Sequence, residues 1–298
     1  MRKIGITALL LALTLGYAHL VHVVDLEQSA EATRMRNRRM NAHGNTSSNP
    51  ARSFSPDGTN DFIEVADSAN FDGVLGANSG CVWVRETTLQ TNDRFISKDN
   101  SAVTQQEWAF RLNNTQQTRP QFCVMSTLTE ALCTNECTTT SNQLANGTAA
   151  FVCWTYNGLG VTNDDKVDIY VNGTSVAITC SGTIPAAYLN GTAGVHIGAA
   201  SNGTSAFGAG FMDEATYWSA TLTATDISNL CCGSGSCGGV CSQASAGAMD
   251  SHGISGLQLY LKIDGDAYPT ATDAAGGDNN GTYTNCTDAA SCISSTIP

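Results

Sequence analysis

From Ser53 onward, apolar and polar residues alternate in short runs, and this two-residue period predicts half-buried strands. The runs are Phe62 to Val65, Cys81 to Val84, Trp108 to Leu112, Phe122 to Met125, Phe151 to Tyr156, Val167 to Val171, Val176 to Ile178, Val195 to Ile197 and Phe211 to Trp218. Turn-forming residues separate them. Asn172-Gly173 predicts a type I′ hairpin, because both residues accept positive φ. One short helix is expected at Thr223 to Leu230, with Thr223 as N-cap and Asp226 at its third position.

The N-terminal pattern is different. Arg2 and Lys3 precede Ile4 to Val24, which is almost wholly apolar apart from Thr, His19 and His22. Three readings stand side by side. The first is a secretory signal peptide with a small-residue cleavage site after Ala18. The second is an uncleaved anchor, since the run is just long enough to span a bilayer. The third rests on Gly5: basic residues, then Gly, then an apolar helix resemble the start of type IV prepilins and minor pilins. Leu10 stands where those proteins carry an acidic residue. Residues 25–41 predict a helix whose end carries Arg34, Arg36, Arg38 and Arg39, a basic last turn that suits the helix dipole or, alternatively, contacts anionic lipid or polymer. Residues 42–52 form a polar linker with one Pro. The expected organisation is 1–24 leader or anchor, 25–52 helix and linker, 53–232 sandwich, and 233–298 a Cys/Gly-rich segment with further strands.

Composition narrows the class. The chain has 298 residues, only 13% of them charged, with a formal net charge of -12. Nucleic acid is excluded as a partner, because phosphate binding draws on a positive surface that releases counterions. Twelve cysteines are present and none forms a Cys-x-x-Cys pair. That removes zinc knuckles and thioredoxin-like motifs and points to disulfides in an oxidising compartment.

Four segments in order resemble the laminin-G-like, concanavalin A-like jelly roll, a relative of the pentraxins and legume-type lectins. Ser53 to Phe71 is similar to the opening strand with its DGT-x-D turn, and Cys81 to Asn100 to the next strand pair. Phe151 to Val176 is similar to the central hairpin. Gly210 to Leu230 is similar to the buried strand and short helix that close the domain. The resemblance implies an all-β fold, a two-sheet antiparallel sandwich, here with an N-terminal hydrophobic helix. The stretch from Leu257 to Asn285 resembles the segment that usually precedes the opening strand. It either completes the sandwich in permuted order or begins a truncated repeat. Pentraxins carry a disulfide between neighbouring strands, and the resemblance implies Cys81 with Cys153. Cys286 with Cys292 is a local pair.

Calcium is the one cofactor to weigh. The pentraxin site combines an Asp-Asn pair with acidic residues on a later loop. Asp99-Asn100 matches the first half, but Ala199 to Phe207 offers no carboxylate, and calcium needs six to eight oxygens. A second candidate is the loop Asp57-Gly58-Thr59-Asn60-Asp61, with Asp213 or Glu214; its alternative role is a turn whose Asx side chains bond their own backbone. Asp164-Asp165 is expected in a solvated hairpin loop.

Catalysis is not expected. Glycoside hydrolases of this fold place carboxylates alternately on one strand face. Here Glu64 and Asp67 are three apart and Asp213-Glu214 are adjacent, so alternation aims neither pair at one bond. Trp83, Trp108, Trp154 and Trp218 lie within strands, where core packing is the default, and His196 is expected to pack in its strand. Asn-x-Ser/Thr occurs at Asn45, Asn113, Asn146, Asn172, Asn190, Asn202, Asn280 and Asn285, either as glycosylation acceptors or as plain turns. The expectation is an exported, non-enzymatic, lectin-like recognition or adhesion module that binds a glycan or a cell-surface protein through sandwich loops. Its alternative is a structural subunit of a filament or virion that uses residues 4–24 for membrane or filament contact.

Overall fold

The computed structural model describes residues 53–72, 76–100, 105–129, 133–200, 208–232, 254–263, 268–276, 279–286 and 292–294. The leader, the helix expected over 25–41, the linker and the Cys/Gly-rich stretch after Cys232 lie outside these residues.

Strands dominate. In chain order they are β1 (Ser53–Phe54), β2 (Phe62–Val65), β3 (Ala77–Glu86), β4 (Arg94–Asn100), β5 (Gln105–Leu112), β6 (Pro120–Val124), β7 (Asn135–Thr139) and β8 (Ala150–Asn157). A one-turn helix, α1 (Asn163–Lys166), leads into β9 (Val167–Val171), β10 (Thr174–Val176), β11 (Ile178–Ser181), β12 (Val195–Ile197) and β13 (Gly210–Trp218). Then come α2 (Ala224–Cys232), β14 (Leu257–Leu261), β15 (Thr270–Ala271), β16 (Gly281–Thr284) and β17 (Ile293–Ser294).

The strands form two antiparallel sheets. One runs β10-β9-β8-β3-β13-β1-β17, with β14 also paired to β13; the other runs β11-β7-β6-β5-β4-β12-β2-β16-β15. The late strands therefore do not stand apart: β14 and β17 extend the first sheet and β15 and β16 the second. Asn172 (φ 50°) and Gly173 (φ 76°) make the hairpin between β9 and β10, as their sequence predicts. The run expected over Val176 to Ile178 is instead divided: β10 pairs with β9 in one sheet and β11 with β7 in the other. Ala177 is the crossing point.

Alternation along both sheets sends one set of side chains inward. Ile63, Val82, Ile96, Trp108, Phe110, Phe122, Trp154 and Tyr217 belong to one buried cluster. At its centre Trp108 stacks on Tyr217 at 5.6 Å and Phe122 on Trp154 at 5.5 Å, linking the two sheets. A second cluster joins Trp83, Phe151, Tyr170 and Trp218 on the far side of the first sheet to Leu222, Ile227 and Leu230 around α2. All four tryptophans are thus buried. The helix is fixed by a capping box: Asp226 N–H donates to Thr223 Oγ1 at 3.1 Å and Thr223 N–H to Asp226 Oδ2 at 2.9 Å. The same device, from Thr162 and Asp165, turns the expected Asp164-Asp165 hairpin loop into α1.

Four cystines are seen in full. Cys81–Cys153 joins β3 to β8 and Cys137–Cys180 joins β7 to β11, each between direct cross-strand partners. Cys123–Cys133 and Cys286–Cys292 close shorter spans. Cys231 is also disulfide-bonded. Cystines of this kind form and persist in oxidising compartments, so the protein matures outside the reducing cytosol. No helix among the described residues is long and apolar enough to cross a membrane.

Candidate functional site

The two sheets differ in what covers their outer faces. The first sheet's outer face is apolar and carries α2. The second sheet's outer face is mixed, polar over much of its extent but with an apolar patch of Ala109, Cys123 and Met125 packed against Cys133 and Leu189. Because Ile96, Phe110, Phe122, Cys137, Val195 and Ile197 point into the core, the residues between them point away from it. The polar ones are His196 on β12, Ser97 on β4, Arg111 on β5, Gln121 on β6, and Glu136 and Thr138 on β7, joined by Arg94 and Asp99 at the ends of β4.

Hydrogen bonds run across this face from strand to strand. Arg94 Nη2 donates to Asp99 Oδ2 at 3.2 Å, and Ser97 Oγ donates to Asp99 Oδ1 at 3.0 Å. Arg111 Nε donates to Gln121 Oε1 at 2.7 Å, and Gln121 Nε2 donates to Thr138 Oγ1 at 2.9 Å. Arg111 Nη1 also reaches Asn92 Oδ1 at 2.9 Å, while its Nη2 lies 3.6 Å from Glu136 Oε2. Burial, reinforced by the neighbouring Arg94 charge, lowers the Arg111 guanidinium to about 10, which leaves it cationic at neutral pH. Burial raises the Glu136 carboxyl, opposed by Arg111. Burial lowers the His196 imidazole against the pull of Asp99 and Glu64, so it is neutral at pH 7.

Several polar atoms of this face have no partner: His196 Nδ1 and Nε2, Arg94 Nε, and Glu136 Oε2, which is only within ion-pair range of Arg111. A neutral imidazole offers one donor and one acceptor. These atoms are out of solvent, since His196, Ser97 and Gln121 are almost wholly buried and Arg94 and Arg111 nearly so. The Phe62 ring lies 5.5 Å from the His196 ring beside them. At the opposite end Glu136 and Thr138 are half-exposed.

Of the expected calcium residues, Asp57 and Asp61 meet in one turn, while Asp99-Asn100 and Asp213 lie on β4 and β13. Asp57 Oδ1 accepts from Thr59 N–H at 2.7 Å, the Asx turn anticipated as its alternative role. Asp57 N–H donates to Asp61 Oδ2 at 3.2 Å, and burial raises the Asp61 carboxyl. Asp99 serves Arg94 and Ser97, Asn100 ends β4, and Asp213 Oδ1 accepts from Glu214 N–H at 2.9 Å on the other sheet. Among the described residues, the three-ligand group close enough for one ion is Asp61 with Cys286 and Cys292. Those sulfurs are bonded to each other, so they offer no thiolate.

The sequons separate by environment. Asn113 is buried, and its Oδ1 accepts from Thr115 N–H at 2.9 Å and Gln116 N–H at 3.0 Å. Asn146, Asn172, Asn190, Asn280 and Asn285 are exposed. Asn45 and Asn202 lie outside the described residues.

A family model described as the concanavalin A-like lectin/glucanases superfamily, of laminin-G type, matches residues 57–228. The chain belongs to this superfamily. No curated protein matches it at a significant level. Among solved structures, a Bacteroides ovatus protein provisionally named as carbohydrate-binding aligns with a TM-score of 0.53 and 16% identity, over 79% of this chain. The chain spans 58% of that protein's length. A heptameric SAP-like pentraxin from Limulus polyphemus (TM-score 0.43, 12% identity) aligns over 61% of this chain and 82% of its own. A Ruminococcus gnavus IT-sialidase CBM40 bound to α2,3 sialyllactose (0.43, 11%) aligns over 60% and 97%. Identities this low establish the shared fold alone.

Arg94, Arg111, Gln121, Glu136 and His196 are not singled out by the sequence. The only trace there is polar residues at alternate positions inside otherwise apolar runs, as in Trp108-Ala109-Phe110-Arg111-Leu112.

Proposed function

We propose that this superfamily member is an exported carbohydrate-binding module that holds its glycan across the outer face of the second sheet and acts by recognition rather than catalysis. One observation supports the reading: His196 Nδ1 and Nε2, Arg94 Nε and Glu136 Oε2 sit on one sheet face, out of solvent and without hydrogen-bond partners, beside the half-exposed end formed by Glu136 and Thr138 where a glycan would enter. Buried polar groups are normally paired, and a polyol brings alternating donors and acceptors of the kind these atoms lack. The acids of the face, Asp99 and Glu136, are engaged by Arg94 and Arg111, which favours binding over proton transfer to a glycosidic oxygen. The name of the Bacteroides ovatus protein points the same way. Residues 1–24 would supply the export signal or anchor.

A glycan array probed with the mature protein, with and without a chelator, tests this. Binding that is lost in Arg111→Ala and kept in a variant of the Asp57–Asp61 loop supports the sheet face. Loss on chelation would instead assign the glycan to a calcium-dependent loop. Silence on every glycan would favour a protein partner or a structural role in a filament or virion.

A further inference from the structure

The interior holds a second charged cluster, separate from the outer face. Lys98 is fully buried, and its Nζ lies 2.5 Å from Glu107 Oε1, 3.1 Å from Asp72 Oδ1, 3.1 Å from Asp67 Oδ1 and 3.4 Å from the Gly191 carbonyl. A bulge creates this. β4 and β5 pair Lys98 with Trp108 and Asp99 with Gln106, so Glu107 is the extra residue and is re-aimed onto the lysine. Close approach of Gly191 completes it: a Cβ there would stand 2.7 Å from Glu107 Oε1. Tyr217, stacked edge-on against Phe71, closes the cluster towards the core. One ammonium among three carboxylates is an expensive arrangement to bury, and Glu107 Oε2, wholly out of solvent, has no partner at all.

We propose that Lys98 and Asp72 condense, with Glu107 carrying the protons, into an intramolecular isopeptide bond that ties β4 to the segment following β2. The balance is simple: an ammonium and a carboxylate become an amide and one water, with no oxidant, reductant or other co-reactant. Lys98 Nζ passes a proton to Glu107, the freed amine attacks Asp72 Cγ, and the departing oxygen leaves as water with protons returned through Glu107. The new bond is N–C; the bond broken is C–O. Lys98 Nζ already lies 3.1 Å from one oxygen of the Asp72 carboxyl, so pre-positioning replaces a bimolecular encounter. Burial pushes the Glu107 carboxyl up to about 7, opposed by Lys98, while, against the pull of burial, Glu107, Asp67 and Asp72 hold the Lys98 ammonium above its ordinary value, so the proton transfer to Glu107 is the uphill part of the step. Asp72 is the acceptor rather than Asp67 because it is the more buried (12% against 32% side-chain exposure) and its charge acts on Glu107. The product also removes one cation and one anion from the interior.

Peptide mapping of the purified full chain, reduced and alkylated, decides the matter. Trypsin should leave Lys98 uncut and yield a branched species, residues 53–85 joined to residues 95–111, one water lighter than their sum. Fragmentation should place the branch at Asp72. Glu107→Gln should release the two peptides while retaining the native disulfide content that reports folding. Free peptides 95–98 and 99–111 from the wild-type protein, or a branch at Asp67, would overturn the proposal.

Discussion

Gly80 of β3 and Trp154 of β8 face each other as cross-strand partners, and the indole fills the space that any side chain at Gly80 would occupy. A Cβ on Gly80 would stand 2.0 Å from Trp154 Cη2. Trp154 is held by Nε1–H donation to Asn78 Oδ1 at 3.1 Å and by its stack on Phe122, so it cannot step aside cheaply. Overpacking a close-packed core costs about 1–3 kcal/mol or more. Gly80→Ala should therefore lower the unfolding free energy by at least about 2 kcal/mol in a denaturant titration. A midpoint equal to that of the parent would show that the indole relaxes freely.

Arg111 hydrogen-bonds Gln121 and Asn92 and lies within ion-pair range of Glu136 on the candidate face. Truncation strands Gln121 Oε1 and leaves Glu136 without its cation. Hydrogen bonds involving charged groups contribute about 1.5–3 kcal/mol each, so Arg111→Ala should destabilise the fold by about 2–3 kcal/mol. Arg111→Lys keeps the charge but loses the planar fork. It should recover much of the stability while recovering little of the glycan binding, measured by denaturant melts and by titration with an array hit.

Glu86 supplies a pH signature. Its carboxyl is buried, and burial, with the Asp93 charge adding and the Ala209 backbone N–H opposing, raises it to about 8. The folded state therefore keeps a proton that the unfolded state releases near its ordinary value of 4.5. Between those two values the unfolded state binds fewer protons, so stability falls as pH rises. Asp93 and Glu107, each raised to about 7 chiefly by burial, act in the same direction. Glu86→Gln should flatten the decline between about pH 5 and 8 and be the more stable protein at pH 8, on the order of 3 kcal/mol. An unchanged pH slope would remove Glu86 as its source.

The Cys137–Cys180 cystine pins β11, an end strand of its sheet, across 43 residues of sequence. A loop of that size corresponds to about 4 kcal/mol in the chain-entropy model. Cys137→Ala with Cys180→Ala should reduce stability by up to that amount. Hydrogen exchange should rise first at Ile178 to Ser181, and uniform exchange across both sheets would contradict the local role.

Much of the fold is legible in the sequence. The alternating runs, the Asn172-Gly173 hairpin and the Thr223/Asp226 capping box are local signals whose physics needs no partner strand. What stayed hidden depends on long-range register. β7 (Asn135–Thr139) has no apolar alternation of its own and exists because Cys137 meets both Phe122 and Cys180. The switch at Ala177 is invisible because one strand and two short ones share a pattern. Of the expected calcium residues, the topology keeps Asp57 and Asp61 together in one turn and places Asp99 and Asp213 on different sheets. Arg94, Arg111 and His196 come together only because β4, β5 and β12 lie side by side, and a charged residue in a strand gives no sign of which neighbours it will meet. The resemblance to the jelly roll located the sheets but named none of these side chains.

The central claim is that glycan lies against the second sheet's outer face. Its most direct measurement is a heteronuclear NMR titration of the mature protein with an array-identified glycan, following the Nε–Hε signals of Arg94 and Arg111 and the imidazole of His196. These three should shift together and saturate at the affinity of the binding curve. Shifts confined to the Asp57–Asp61 turn, with the arginine and histidine signals unmoved, would contradict it.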